Sequence, residues 1–236
     1  MTPLTSATVL ELWEAGLGRS PAARASLLLA AAGERELDDW PVGRRDRLLL
    51  DHFCGPGTVL EGLADCPSCG AVLDVAFDTR TVPGDSRPDR VSLDVEGHRV
   101  VARAVTVGDL RSLPSEGSAA LQRTALLERC VVSATRGGAP VGPVDLPDAV
   151  VDRIEDELDR LDPSADLVVV LDCADCGTIW SESLDPVRFA WAGVESTARR
   201  LATDVHTLAR AYGWSEHNIL ALTPFRRHLY LSAVQG

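Results

Sequence analysis

Two short and nearly identical stretches limit what this chain can fold into: Cys66-Pro67-Ser68-Cys69-Gly70 and Cys173-Ala174-Asp175-Cys176-Gly177. Two thiolates three positions apart can grip one metal ion from a tight turn, and four complete the tetrahedron that zinc prefers. The glycine after each second cysteine permits the positive φ and close backbone approach that such a turn needs. Amides inside the turn can then donate to the sulfurs and spread their charge. Strand-like residues border both pairs, so each pair is expected at the tip of a hairpin, and two facing hairpins would make a zinc ribbon. Cys66, Cys69, Cys173 and Cys176 are therefore the expected ligands of one structural Zn2+. About a hundred residues separate Cys69 from Cys173, against the usual ~15–20, so an insertion divides the ribbon. CxxC also occurs as a redox centre, but two copies with matching glycines point to a metal. A catalytic zinc keeps one position open for water, whereas four cysteines fill them all.

Composition narrows the function classes. The 236 residues hold 35 acids against 23 basic residues, all of the latter arginine, for a net charge of -12 and a pI near 4.8. That is the wrong sign for a chain that lives on phosphate backbones or anionic lipid. The knuckles carry Pro67, Ser68, Ala174 and Asp175 rather than basic residues. No apolar run approaches the ~18 residues needed to span a bilayer. The opening MTPLTSATVLELWEAG has acids where an export signal has basic residues, so a cytoplasmic chain with reduced thiols is expected. Cys54 and Cys130 then read as small buried apolar residues. No phosphate loop, dinucleotide fingerprint, nucleophile elbow or HExxH is present. The acids Glu155, Asp156 and Glu157 lie on a predicted helix and do not converge on one point. No catalytic residue is expected, and the chain reads as a non-enzyme.

The pattern along the chain predicts an α+β protein. Residues 1–55 read as a helical segment, with Pro21 after Ser20 at a helix start. Residues 56–186 read as the interrupted zinc-ribbon domain. Leu73, Val75 and Phe77 alternate with polar or small residues, and so do Val91, Leu93 and Val95, the period of half-buried strands. Glu96-Gly97 supplies a turn, and 99–107 returns as a second strand. Helices are expected over 118–129 and 147–161, separated by a loop rich in glycine and proline. Residues 187–236 read as a C-terminal helical docking segment. Its apolar residues Trp191, Val194, Ala198, Leu201, Val205, Leu208 and Tyr212 keep one helix face for three heptads, most simply as core. Gly213 stops that helix, Ser215 caps the next, and Thr223-Pro224 opens the last. Charge is polarised. From Asp145 to Pro186 there are 13 acids and 2 arginines, a net of -11; from Val187 onward 6 arginines and 3 acids give +3.

The C-terminal residues are more specific than composition. The run Asp204-Val205-His206, Leu208-Ala209, Tyr212 to Glu216, Ile219 to Leu222, Arg226-Arg227 and Tyr230-Leu231 resembles the end of a phage protein family. That family is the baseplate assembly and hub proteins of contractile-tailed phages of the T-even type, with relatives in phage-like contractile injection systems. The resemblance extends to the knuckle Cys173 to Gly177, to Trp180 and to Leu184-Asp185, and more loosely to 63–74. It implies a non-enzymatic structural or assembly component whose partners are other baseplate or tail proteins, within a large symmetric particle. Tyr212, Trp214, Phe225, Arg226, Arg227 and Tyr230 are residue types enriched at interface hot spots and are the expected partner-binding residues. The competing class is a zinc-ribbon regulatory or nucleic-acid-binding adaptor, for which Arg226 and Arg227 would be the contacts.

Overall fold

A computed structural model describes residues 4–83, 90–113 and 117–235. In chain order the helices and strands begin with α1 (Ser6–Gly16), α2 (Pro21–Ala31) and α3 (Val42–Leu49). Strands β1 (Val59–Asp65), β2 (Val72–Asp78), β3 (Arg90–Val95) and β4 (His98–Arg103) follow. Next come α4 (Val107–Arg111), α5 (Ala119–Cys130), β5 (Val131–Arg136), β6 (Ala139–Pro140) and α6 (Asp148–Leu161). The chain continues through β7 (Leu167–Asp172), β8 (Ile179–Leu184), α7 (Pro186–Tyr212), α8 (Glu216–Leu220) and α9 (Pro224–Gln235). Every strand pairing is antiparallel, and helix and strand are segregated, so the chain is α+β.

The chain divides into two compact units. The first comprises 1–35, 52–54 and 187–236; the second comprises 36–51 and 55–186. The helical start and the helical tail, which the sequence presents as separate segments, thus belong to one unit, and the α3 stretch belongs to the other.

In the first unit most of the α7 heptad seam is core, while Val205 is half-buried and Tyr212 at its end is exposed. Trp191, Val194, Ala198, Leu201 and Leu208 are buried, as are Leu12 of α1 and Leu28 and Leu29 of α2. The helix starts follow their caps: Ser20 accepts from the Ala23 amide ahead of Pro21, and Ser215 accepts from Asn218. Gly213, at φ 67°, ends α7 with its amide on the Ala209 carbonyl. Gly16 lets the Trp191 indole lie against α1, because a Cβ there would sit 2.0 Å from the ring. Arg24 stacks over the same indole, 4.7 Å from its centroid.

The second unit is built on a four-stranded sheet of order β3-β4-β5-β6, against which α6 packs. Val150, Val151 and Ile154 of α6 meet Leu93, Val100, Ala102, Val131 and Ala134 of the sheet, while acids cover its other side. Arg123 of α5 binds Glu155 and Asp152 on that acidic side. Strand β5 emerges directly from α5 and returns through Gly137 and Gly138, both at positive φ, into β6. The sequence predicts a loop at this Gly-Gly. It is a hairpin turn, and the buried Val131 and Ala134 place its first strand in the core. The predicted strand over 99–107 ends at Arg103, because Thr106 and Asp109 form a capping box that starts α4. Cys130 is buried and Cys54 partly so, and desolvation raises both thiol pKa values, Cys130 to about 11.

Outside the sheet, β1–β2 and β7–β8 are two separate two-stranded hairpins. Helix α3 reaches the segments that flank them: Arg47 donates to the Val82 carbonyl, and the Gly43 amide donates to Asp162. Position 43 has no room for a side chain, since a Cβ would stand 2.0 Å from Asp162 Oδ1 and 2.9 Å from the Ala165 amide nitrogen. Gly193, exposed in the middle of α7, meets nothing within 4 Å. Gly43→Ala is expected to destabilise the protein by about 1–3 kcal/mol through overpacking. Gly193→Ala is expected to stabilise it by ~0.5–1 kcal/mol through helix propensity. Chemical denaturation of the two variants beside the parent checks both signs.

Candidate metal centre

The two cysteine pairs sit at the tips of the two free hairpins, in turns with the same hydrogen bonds. In the first, the Cys66 amide donates to the Ala71 carbonyl and the Gly70 amide to the Cys66 carbonyl, at 2.8 and 2.9 Å. In the second, Cys173 donates to Thr178 and Gly177 to Cys173, at 3.0 and 2.8 Å. Gly70 and Gly177 adopt φ of 74° and 70°, with open space where a Cβ would be. What these positions require is therefore the left-handed backbone rather than room. The strands agree in register too, Asp65 opposite Val72 and Asp172 opposite Ile179. Each tip is one hairpin solution used twice.

The four sulfurs converge. Cys66 Sγ lies 3.6 Å from Cys176 Sγ, Cys69 Sγ lies 3.6 Å from Cys173 Sγ, and all four fall within 4.8 Å of one another. A Zn–S bond of about 2.3 Å implies a tetrahedron edge of roughly 3.8 Å, close to the two short separations. A disulfide would need about 2.05 Å, so these sulfurs are not bonded to one another. Each close pair joins a buried cysteine, Cys66 or Cys173, to an exposed cysteine of the other hairpin. The donor set fits a thiophilic ion held between the hairpins, with all four corners supplied by protein.

Electrostatics show why such a cluster favours a cation. The Thr178 hydroxyl, 3.2 Å from Cys176 Sγ, and then the Thr178 amide hold the Cys176 thiol down at about 6. At Cys69 the Ala71 amide also lowers the pKa. The sulfurs of Cys176, Cys173 and Cys66, with desolvation, outweigh that effect and push it up to about 12. One thiolate forms readily, and a second beside it is opposed by like charge. A divalent cation reverses that balance by displacing the protons. All four clustered cysteines are legible in the sequence, but the hydroxyl of Thr178, which follows the knuckle glycine, is not.

The predicted partner-binding residues divide. Tyr212, Trp214 and Tyr230 form one aromatic cluster, with Tyr212 and Trp214 stacked at 4.7 Å and Tyr230 edge-on to both, 5.9 Å from Tyr212 and 4.9 Å from Trp214. Phe225 is 72% exposed, and Arg226 is exposed beside it. Arg227 does not belong with them. It is buried, paired with Asp204 at 3.1 Å and donating to the Ser6 hydroxyl at 2.9 Å. Adjacent helix positions point about 100° apart, so Arg226 faces out while Arg227 faces in. The acids 155–157 are spent on ion pairs with Arg123, Arg153 and Arg160. A polar cleft of about 650 Å3 lies beside α4, where Arg103 grips Asp109 with both guanidinium nitrogens and Arg111 binds Asp38.

No protein-family model matches the chain, and neither does any curated protein or solved structure. Among the described residues no helix is long and apolar enough to cross a membrane.

Metal uptake should expel protons. At neutral pH Cys176, near 6, is mainly thiolate, while Cys69, near 12, keeps its proton until the ion replaces it. Affinity for zinc is therefore expected to fall by at least about tenfold per pH unit between pH 9 and 6, and more steeply below pH 6. Competition against a chromophoric chelator across that range measures the slope. A pH-independent affinity would rule out this ligand set.

Proposed function

We propose that this chain is a non-enzymatic structural or assembly component of a baseplate, in a contractile phage tail or a phage-like contractile injection system. It folds around one structural Zn2+ held by Cys66, Cys69, Cys173 and Cys176 in a divided zinc ribbon. The metal half of this reading rests on the spacing of the four sulfurs. The baseplate half rests on the resemblance carried by 204–231 and the second knuckle.

With four thiolate ligands the coordination sphere is closed, and the ion would act as a staple between distant parts of the chain. Two-stranded hairpins are marginal alone in water. A structural zinc contributes about 10–16 kcal/mol of apparent binding free energy, comparable to the whole stability of an ordinary domain, about 5–15 kcal/mol. The ion would therefore decide whether the two hairpins stay together. Acids at Glu61, Asp65, Asp74, Asp172 and Asp175 surround the knuckles, a poor footing for phosphate backbones and a reason to prefer the baseplate component over the nucleic-acid adaptor. Partners would be other baseplate or tail proteins, met through Phe225, Arg226 and the exposed edge of the Tyr212–Trp214–Tyr230 cluster.

Two measurements test the halves separately. Purified protein should carry about one zinc per chain by elemental analysis. A serine at any of the four cysteines should abolish it and cost several kcal/mol of stability. Deletion of the gene in its native host should leave tails without finished baseplates in electron micrographs, restored by the parent gene and not by Cys69→Ser/Cys176→Ser. Normal particles in the deletion strain would refute the baseplate assignment while leaving the zinc site standing.

A further inference from the structure

One face of the β1–β2 hairpin carries a regular pairing across the strands. Ala76 stands opposite Glu61, Leu63 opposite Asp74, and Val72 opposite Asp65, so each pair joins an aliphatic residue to a carboxylate. Leu63 is 73% exposed and Val72 63%. The three carboxylates are exposed and make no ion pair among the described residues. Solvated strand faces are ordinarily polar throughout, and a row of large aliphatics left in water marks a contact surface. The interleaved carboxylates add a requirement: whatever covers this face must bring both apolar side chains and positive charge.

The second hairpin shows that charge is what singles out the first. Val170 and Ile179 occupy the same positions relative to their knuckle as Leu63 and Val72, and are 70% and 68% exposed. Asp172 stands opposite Ile179 as Asp65 stands opposite Val72, but opposite Val170 and Val168 stand Ser181 and Ser183 rather than acids. The first hairpin is thus the more acidic of two otherwise equivalent apolar faces, with Glu61, Asp65 and Asp74 against Asp172 alone.

The chain itself carries an element with the required chemistry. On α9, Phe225 and Leu229 stand one helical turn apart, 72% and 53% exposed. Arg226 lies beside them, exposed, with no ion pair among the described residues. The segment from Val187 onward is the positive part of the chain, 6 arginines to 3 acids. Lengths match as well: twelve helical residues span about 18 Å, and a seven-residue strand about 23 Å.

We propose that copies of this chain associate head to tail, with α9 of one copy lying across the aliphatic and acidic face of the first hairpin of the next. Phe225 and Leu229 cover Leu63 and Val72, and Arg226 meets Asp74 or Asp65. Two different surfaces of one chain make this contact, so it is heterologous, and each added copy leaves one donor and one acceptor free until a ring closes. The proposal concerns the chain's contact with itself and stands whether or not the finished particle is a baseplate.

Sedimentation velocity on the zinc-loaded full chain, from low to several hundred micromolar, reads the association directly. Oligomers that grow with concentration and weaken with added salt are expected. Leu63→Arg and Phe225→Glu should each weaken self-association at least about tenfold. Circular dichroism and zinc content should stay unchanged, because both residues are exposed. Mixing the two variants is decisive, since one retains a working α9 and the other a working hairpin. Together they should form a 1:1 dimer that does not grow further. A parent chain that stays monomeric throughout, or a mixture that stays monomeric, overturns the proposal. So does loss of association in Val170→Arg with none in Leu63→Arg, which would place the contact on the second hairpin.

Discussion

Four cysteine sulfurs within 4.8 Å of one another cannot all ionise unless a cation lies among them, and the hairpin half of this protein is arranged around that constraint. Among the described residues the two hairpins share no strand pairing with each other or with the four-stranded sheet. Apart from the buried Leu60 and Leu167 their strand residues are half-buried or exposed, so neither hairpin owns a full core. They meet at two cross-hairpin sulfur contacts, and α3 anchors the segments beside them at Val82 and Asp162. An ion bound there would complete a cluster that hydrogen bonds and apolar packing only prepare.

The sheet with α6, which lies between the two knuckles in sequence, has its own apolar core and its own shell of arginine–carboxylate pairs. That core contains none of the four clustered cysteines. The all-helical unit likewise has a self-sufficient interior, built from α7 against α1 and α2 with Trp191 resting on Gly16. Stability of this kind leaves side chains free for other work: Leu63 and Val72 on the first hairpin, and Phe225, Arg226 and Leu229 on α9.

Much of this was legible from residue order, because the forces involved are local. The CxxCG turns follow from cysteine spacing and glycine's access to positive φ, and both occur as read. Helix starts at Ser20, Ser215 and Thr223 follow from side-chain oxygens that accept the first free amides. The α7 seam follows from its heptad spacing. Strand β5 was hidden, because Val131 to Arg136 is short, continues straight out of a helix and ends in Gly-Gly, which marks a loop as readily as a tight hairpin.

Residue order by itself therefore determined which four cysteines form the sulfur cluster, the α+β class and the caps and turns, since each depends on neighbours a few positions away. Tertiary structure decided what depends on distant neighbours. It set the sulfurs 3.6 Å apart across about a hundred intervening residues, and it joined the first and last segments of the chain in one unit. It also separated Arg226 from Arg227, which are adjacent and identical in sequence. One faces solvent and the other is paired with Asp204, because the packing around α9 fixes which side of that helix is inside.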